Sequence, residues 1–149
     1  MTQSISHRRR SRIVAMQILY QIHLSAAPVP ITLERFWESQ NTAPELRPFA
    51  SELVQGTTTE MRAIDELLQK TSKNWKLHRM PVVDLSILRC ATYEILYLDD
   101  IDPATSINEA IEIAKSYSTP NSHKFINGVL DNIRKRLPAD SSLNPADER

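Results

Sequence analysis

Apolar residues recur along most of this chain at the spacing of an α-helix, and this periodicity limits the folds open to it. The clearest run is Leu88, Ala91, Ile95 and Leu98, which repeats every three or four residues and forms one stripe on a helix. Only two glycines and 6% aromatic residues occur among the 149 residues, which leaves little material for a β-sandwich or a glycine-rich nucleotide loop. The sequence therefore predicts an all-α fold.

The chain is predicted to form one domain of about seven helices in two packed halves, the first of which spans residues 1–71. After a flexible lead at residues 1–6, a first helix is expected to stop near Ser25, because prolines follow. Thr32 is expected to cap a short second helix. A third, longer helix then extends to about residue 70, although Gly56 weakens its middle.

Residues 72–138 are predicted to form the second helical half, which begins with a connector. Pro81 ends the connector and suits the first turn of the next helix. Ser106 and Glu109 have the S-x-x-E spacing of a capping box, so they are expected to start the sixth helix. The apolar face expected to be buried on this helix is Ile107, Ala110, Ile111, Ala114 and Tyr117, and that of a seventh helix is Ile126, Val129, Leu130, Ile133 and Leu137. Residues 139–149 are polar and contain proline, which is typical of a disordered tail.

Positive charge is concentrated at the N-terminus, although the net charge of the chain is zero. No acid occurs before Glu34, and the preceding residues include Arg8, Arg9, Arg10 and Arg12. Guanidinium groups neutralise phosphates and make forked hydrogen bonds to them. The N-terminal arginines are therefore a candidate RNA-binding site, with a solvated basic terminus as the simpler alternative.

Two aromatic residues are placed where they could stack on unpaired bases. On a helical wheel at ~100° per residue, Tyr20 shares a face with Arg9 and lies away from the apolar stripe, so we expect its ring to be at least partly exposed. Phe125 follows Ser122 and Lys124 at the start of the last helix, where free backbone N–H groups attract phosphate. Both rings could instead pack against neighbouring helices.

The sequence contains no recognisable catalytic or metal-binding motif. His123 and Lys124 have neither a nucleophile elbow nor a carboxylate that would orient them, and no CxxC or HExxH pattern is present. The single Cys90 is expected to be buried and inert. No apolar run approaches the roughly 18 to 20 residues of a membrane span, and no signal peptide is apparent. We therefore expect a cytoplasmic protein without enzyme activity, cofactor or membrane contact.

Four blocks of sequence resemble one known family in residue content, order and spacing. The blocks run from Arg8 to Tyr20, from Ile87 to Glu94, from Ile107 to Lys115 and from Ser122 to Asp131. Together they resemble the NusB family of transcription antitermination factors over about residues 7–137, most specifically in the last two blocks. The resemblance implies a NusB-like fold.

The resemblance also implies partners and site residues. Members of the family pair with the ribosomal protein NusE and bind the boxA element of nascent ribosomal RNA transcripts, within an RNA polymerase complex that resists premature termination. The positions expected to hold RNA are Arg8, Arg9, Arg10, Arg12, Tyr20, Asn121, Ser122, Lys124 and Phe125. The positions expected to face NusE are Asp84, Ile87 and Glu94. Family members commonly carry an acid at the position of Asn121, so this amide is a departure from the pattern.

Two alternatives to an RNA-binding factor remain open at the level of sequence. The first is a NusB-like helical module that binds protein or forms a homodimer without binding RNA, since some relatives are dimeric. The second is a NusB-like module of an RNA methyltransferase, against which the length of the chain argues, because it leaves no room for a cofactor domain.

Overall fold

The computed structural model describes residues 2–72 and 74–137, with side chains from His7 onward, and the regular structure in these ranges is helical. Its helices are α1 (Thr2–Ser25), α2 (Val29–Gln40), α3 (Arg47–Thr59), α4 (Met61–Thr71), α5 (Val82–Tyr97), α6 (Pro103–Tyr117) and α7 (Ser122–Arg136). Short 3-10 turns at Pro44–Leu46 and Leu77–Arg79 precede α3 and α5. The predicted all-α fold of about seven helices is confirmed, whereas the predicted tail at residues 139–149 lies outside the described residues.

The first two helices both begin earlier than the sequence predicted. α1 begins at Thr2, so the expected flexible lead is wrong; neither proline nor glycine interrupts residues 2–6. α2 begins at Val29, because Pro30 is tolerated in the first turn, where a backbone N–H has no helical partner. Thr32 lies inside α2 and is buried; its hydroxyl donates to the carbonyl of Pro28 at 3.0 Å instead of capping the helix.

The long third helix predicted up to residue 70 is in fact two helices. α3 ends at Thr59 and α4 begins at Met61, after a run of three β-branched threonines that favour helix weakly. Gly56 lies inside α3, where a Cβ atom would overlap with the phenol ring of Tyr93 on α5. The missing side chain at Gly56 therefore allows α3 and α5 to approach closely.

A different residue from the one predicted caps α6. The carboxylate of Asp102 accepts a hydrogen bond from the backbone N–H of Ala104 at 3.0 Å, and Pro103 occupies the first helical position. Ser106 and Glu109 lie further along, inside the helix, where their side chains contact other helices. The predicted capping box is therefore wrong, because the same spacing serves contacts between helices.

The buried apolar side chains form two adjoining clusters. One lies between α1, α2 and α3 and includes Cys90 of α5, while the other joins α4, α5, α6 and α7 around Leu88. Ile64 and Leu68 of α4 belong to the second cluster, so the packing changes at the α3–α4 junction and not near residue 72. α5 thus lies at the centre of the fold and contributes to both clusters.

The predicted buried face of α7 is confirmed, and that of α6 is confirmed in part. Ile126, Leu130 and Ile133 are fully buried, and Val129 nearly so. On α6, however, the ring of Tyr117 is 45% exposed, so its predicted burial is wrong. Tyr117 is the last residue of the helix and faces a groove beside α1.

Candidate nucleic-acid interface

The four N-terminal arginines lie on one helix but in different environments. Arg8 and Arg10 are exposed to solvent. The side chain of Arg9 is 42% exposed, whereas that of Arg12 is only 7% exposed. The predicted arginine site therefore divides into two solvent-facing residues and two residues that are engaged by the protein itself.

Arg12 forms a forked ion pair with Glu94 of α5. Its Nε lies 2.8 Å from Oε2 and its Nη2 lies 3.0 Å from Oε1. Glu94 is 2% exposed and also accepts a hydrogen bond from the hydroxyl of Ser106 on α6 at 2.8 Å. One buried carboxylate thus joins α1, α5 and α6. The guanidinium of Arg12 is therefore held inside the fold, and its contact with RNA stays a prediction.

Arg9 makes a second forked pair, with Glu109 of α6. The Nε–Oε1 and Nη2–Oε2 distances are 2.7 and 3.0 Å. The hydrogen bonds that Arg9 donates to Glu109 raise the pKa of its guanidinium, which stays charged. The Nη1 atom of Arg12 lies 3.8 Å from the same carboxylate, so the two ion pairs form one network. Much of the hydrogen-bonding capacity of Arg9 is therefore used within the protein.

Arg8 and Arg10 are the arginines that remain available to a ligand. The guanidinium carbon of Arg8 lies 4.1 Å from the centroid of the Phe49 ring, a cation–π contact that orients the side chain. Arg8 also borders a cleft of about 500 Å³ beside the α5–α6 loop. Arg10 borders a second cleft, of about 310 Å³, beside α2. These two residues carry the positive charge of this surface.

Tyr20 lies in a groove of about 350 Å³ lined by α1, α2, α5 and α6. Its ring is 36% exposed, which confirms the prediction of partial exposure. Tyr117 lines the same groove, together with the side-chain amides of Gln17 and Gln40, which can both donate and accept hydrogen bonds. The cleft beside Arg10 shares Gln17, Gln40 and Tyr117 with this groove. Arginine charge, amide groups and two tyrosine rings therefore follow one continuous path.

Asp84 of α5 binds two serine side chains at the start of α7. The hydroxyls of Ser118 and Ser122 donate to its two carboxylate oxygens, the second at 2.9 Å, and the two hydroxyl oxygens lie 2.9 Å apart. Asp84 is 4% exposed and Ser122 is 6% exposed. Ser122 therefore fixes the turn, and its contact with RNA stays a prediction.

Three other residues of this segment are accessible. Asn121 and Lys124 are exposed, and Phe125 is partly buried against the connector. The Phe125 ring packs on Trp75 with centroids 5.6 Å apart and planes tilted by 44°. No signal in the sequence singled out Trp75, a residue of the connector whose side chain is 44% exposed.

The three residues expected to face NusE are internal. Asp84 and Ile87 are each 4% exposed, and Glu94 is 2% exposed. The two carboxylates bind serine and arginine side chains of the same chain, and Ile87 packs in the cluster of α4 to α7. These side chains therefore offer a partner little surface, and their contact with NusE stays a prediction.

Cys90 and the histidines indicate no further chemistry. Burial raises the pKa of the Cys90 thiol, so it stays protonated, as expected of a buried cysteine. Across residues 2–72 and 74–137, no three His, Cys, Asp or Glu side chains are grouped so as to hold a metal ion. In the same part of the chain, no helix has both the length and the apolar character needed to cross a bilayer.

The structure is that of a small all-helical protein in which arginine, glutamine and tyrosine side chains border two connected clefts. The family model described as "NusB family" matches residues 9–135. The chain is 45% identical over 126 residues to the transcription antitermination protein NusB of Trichlorobacter lovleyi, which covers 85% of this chain and 89% of that protein. The chain belongs to the NusB family.

Solved structures share the same fold. The structure of T. maritima NusB superimposes with a TM-score of 0.81 at 35% identity, covering 91% of this chain and 95% of that one. A structure of the antitermination factors NusB and NusE in complex with dsRNA gives a TM-score of 0.80 at 23% identity, covering 89% and 98% of the two chains. The NusB-like fold that the sequence predicted is therefore confirmed.

Proposed function

We propose that this protein is a transcription antitermination factor that binds boxA-like RNA of nascent ribosomal RNA transcripts together with NusE, as part of an RNA polymerase complex. Membership of the NusB family supports this function, since the relative in T. lovleyi is named a transcription antitermination protein. A protein of the same fold is seen with NusE and RNA. The protein acts by assembly in the cytoplasm and not by catalysis.

The observation that carries the proposal is the pair of clefts along α1, which share several lining residues. Arg10, Tyr20 and Tyr117 follow one groove. Ser118 comes directly after Tyr117, and it is bound with Ser122 to the Asp84 carboxylate. The exposed residues at the beginning of α7 therefore follow Tyr117 closely in the chain, and we infer that a single strand of RNA passes from the clefts to them.

The chemistry of this surface suits single-stranded RNA. Arg8, Arg10 and Lys124 can neutralise phosphates, and each phosphate contact releases bound counterions from the strand. Tyr20 and Phe125 present aromatic rings on which unpaired bases can stack. The glutamine amides along the groove can bond to base edges. Backbone neutralisation and base contacts are therefore both available.

Titration of labelled RNA tests the proposal. Binding of a boxA-like single strand is measured by fluorescence anisotropy at several salt concentrations, with and without NusE, against a scrambled strand. The double variant Arg8→Ala/Arg10→Ala should weaken binding to both strands and reduce the log–log salt slope by about 1.4, at ~0.7 per lost contact. Arg62→Ala/Arg136→Ala removes two other exposed arginines and serves as the control.

Aromatic variants give a different signature. Tyr20→Ala should leave the salt slope unchanged and lose about 1 to 3 kcal/mol of binding free energy, the usual cost of removing one stacking platform. Unchanged binding by the Arg8/Arg10 variant would place the RNA surface elsewhere. Failure of the unaltered protein to bind RNA, even with NusE, would favour a protein-interaction or dimerisation module, which light scattering would detect as a change in mass.

A further inference from the structure

A second basic segment extends from the end of α4 through the connector to the start of α5. Residues 67–83 contain no acid and include Lys70, Lys73, Lys76 and Arg79, the same formal charge of +4 as the N-terminal arginine segment. Lys70, Lys76 and Arg79 are exposed, and Trp75 lies among them in the sequence. An aromatic residue within a basic, acid-free segment is the combination expected of a surface that binds single-stranded nucleic acid.

The indole ring of Trp75 is held in place although it is exposed. Its backbone N–H donates to the carbonyl of Ser72 at 3.0 Å. The side-chain amide of Gln69 donates to the carbonyl of Trp75 at 3.0 Å and accepts from the N–H of Leu77 at 3.2 Å. The ring itself packs on Phe125. A platform fixed in this way loses little conformational entropy when a ligand stacks on it.

The aromatic pair borders a cleft of about 400 Å³ between the connector and α7. Lys124 and Asn74 line the cleft together with Gly128, at which an added Cβ atom would meet nothing within 4 Å. The cleft thus offers flat apolar faces, a side-chain amide, a cation and an open floor. These groups match a nucleotide, which has a flat base, polar base edges and an anionic phosphate.

An exposed aromatic pair is not by itself evidence of a nucleic-acid site. Tyr93 and Tyr97 form a comparable pair at the end of α5, with centroids 5.4 Å apart, and Tyr97 is 40% exposed. Burial and then the negative charges of Glu52 and Glu60 raise the pKa of Tyr93. Acidic groups would repel a polyanion there, whereas the surroundings of Trp75 are basic.

We propose that Trp75, together with Phe125, forms a further stacking site for an unpaired nucleobase, with Lys124 and the basic connector holding the adjacent phosphates. This inference rests on the proposed RNA-binding function. It extends the path of the RNA past the start of α7 to the connector between α4 and α5.

Tryptophan fluorescence tests the inference directly, because the chain has only two tryptophans. In a Trp37→Phe variant, emission reports on Trp75 alone, and stacking of a base should quench it as boxA-like single-stranded RNA is added in the presence of NusE. In the otherwise unaltered chain, Trp75→Ala should lower RNA affinity about 5- to 150-fold with an unchanged salt slope. Trp75→Phe keeps a stacking ring and should bind within a few-fold of the unaltered protein.

Tyr97→Ala is the matched control, since it removes an exposed ring of the acidic pair, and it should leave RNA affinity unchanged. Circular dichroism shows which variants are folded. If Trp75→Ala is unfolded, the inference is judged from the quenching of Trp75 emission and from the RNA affinity of Trp75→Phe. If RNA binds but does not quench Trp75 emission, or if folded Trp75→Ala binds RNA with full affinity, the inference is overturned. The proposed function is unaffected by either result. Quenching by NusE alone would also overturn it, by assigning the cleft to a protein. No RNA binding at all would overturn the proposed function itself.

Discussion

Replacement of Arg12 by alanine should destabilise the protein far more than loss of an exposed arginine. The change removes the two hydrogen bonds of 2.8 and 3.0 Å that the guanidinium donates to the Glu94 carboxylate. This carboxylate is 2% exposed and keeps only its hydrogen bond from the Ser106 hydroxyl. Removing one partner of a buried ion pair typically costs about 3 to 5 kcal/mol, a large part of the roughly 5 to 15 kcal/mol that stabilises a domain. Urea unfolding followed by circular dichroism measures this loss.

Two further variants separate the buried ion pair from a general effect of charge. Arg10→Ala removes an exposed arginine of the same helix and should change the free energy of unfolding by less than about 0.5 kcal/mol. The double variant Arg12→Met/Glu94→Met removes both buried charges and should recover most of the stability, because no unpaired carboxylate remains. A loss below about 1 kcal/mol for Arg12→Ala would refute the assignment of the pair as buried and structural.

Three other regions give predictions of differing sign. Gly56→Ala should lower the free energy of unfolding by about 1 to 2 kcal/mol, because overlap with the Tyr93 ring outweighs the gain in helix propensity. Gly128→Ala, where the space is open, should raise the free energy of unfolding by up to about 1 kcal/mol. Thermal and urea unfolding of both variants check the opposite signs. Leu130→Ala creates a cavity at a fully buried position and should cost roughly 2 to 5 kcal/mol by urea unfolding, so a near-neutral value would contradict the assigned face of α7. Cys90 should not react with a thiol reagent at pH 8 until the chain unfolds, because burial raises the thiol pKa and keeps the thiolate unpopulated; fast labelling of the native protein would contradict its burial.

The helices and their apolar faces could be predicted because burial imposes a helical period on the sequence. Ile126, Leu130 and Ile133 were identified in this way and are buried. Helix starts were harder to predict, since several residues near each start can form a cap. Ser106 and Asp102 both precede apolar residues of α6, but only contacts with other helices show that the hydroxyl of Ser106 is used by Glu94.

The sequence identified the exposed arginines and aromatic residues of the candidate site, but not the ion pairs made by charged residues that lie on apolar stripes. Arg12 precedes Met16 and Leu19 by four and seven residues, so helical spacing places it on their buried stripe. Glu94 lies beside the stripe of α5 in the same way, three residues after Ala91. A charge at such a position predicts a buried ion pair, but its partner, which is 82 residues away, is found only from the three-dimensional structure.

The ion network of α1 has a consequence for the order in which the chain can fold during synthesis. The partners of Arg9 and Arg12 follow them by 100 and 82 residues, so the N-terminal helix leaves the ribosome long before either carboxylate has been made. Contacts of such long sequence separation form late, because a large loop must close first. Until Glu94 and Glu109 emerge, Arg9 and Arg12 lack their acidic partners, and the nascent N-terminal segment is at its most basic beside the RNA of the ribosome that is making it.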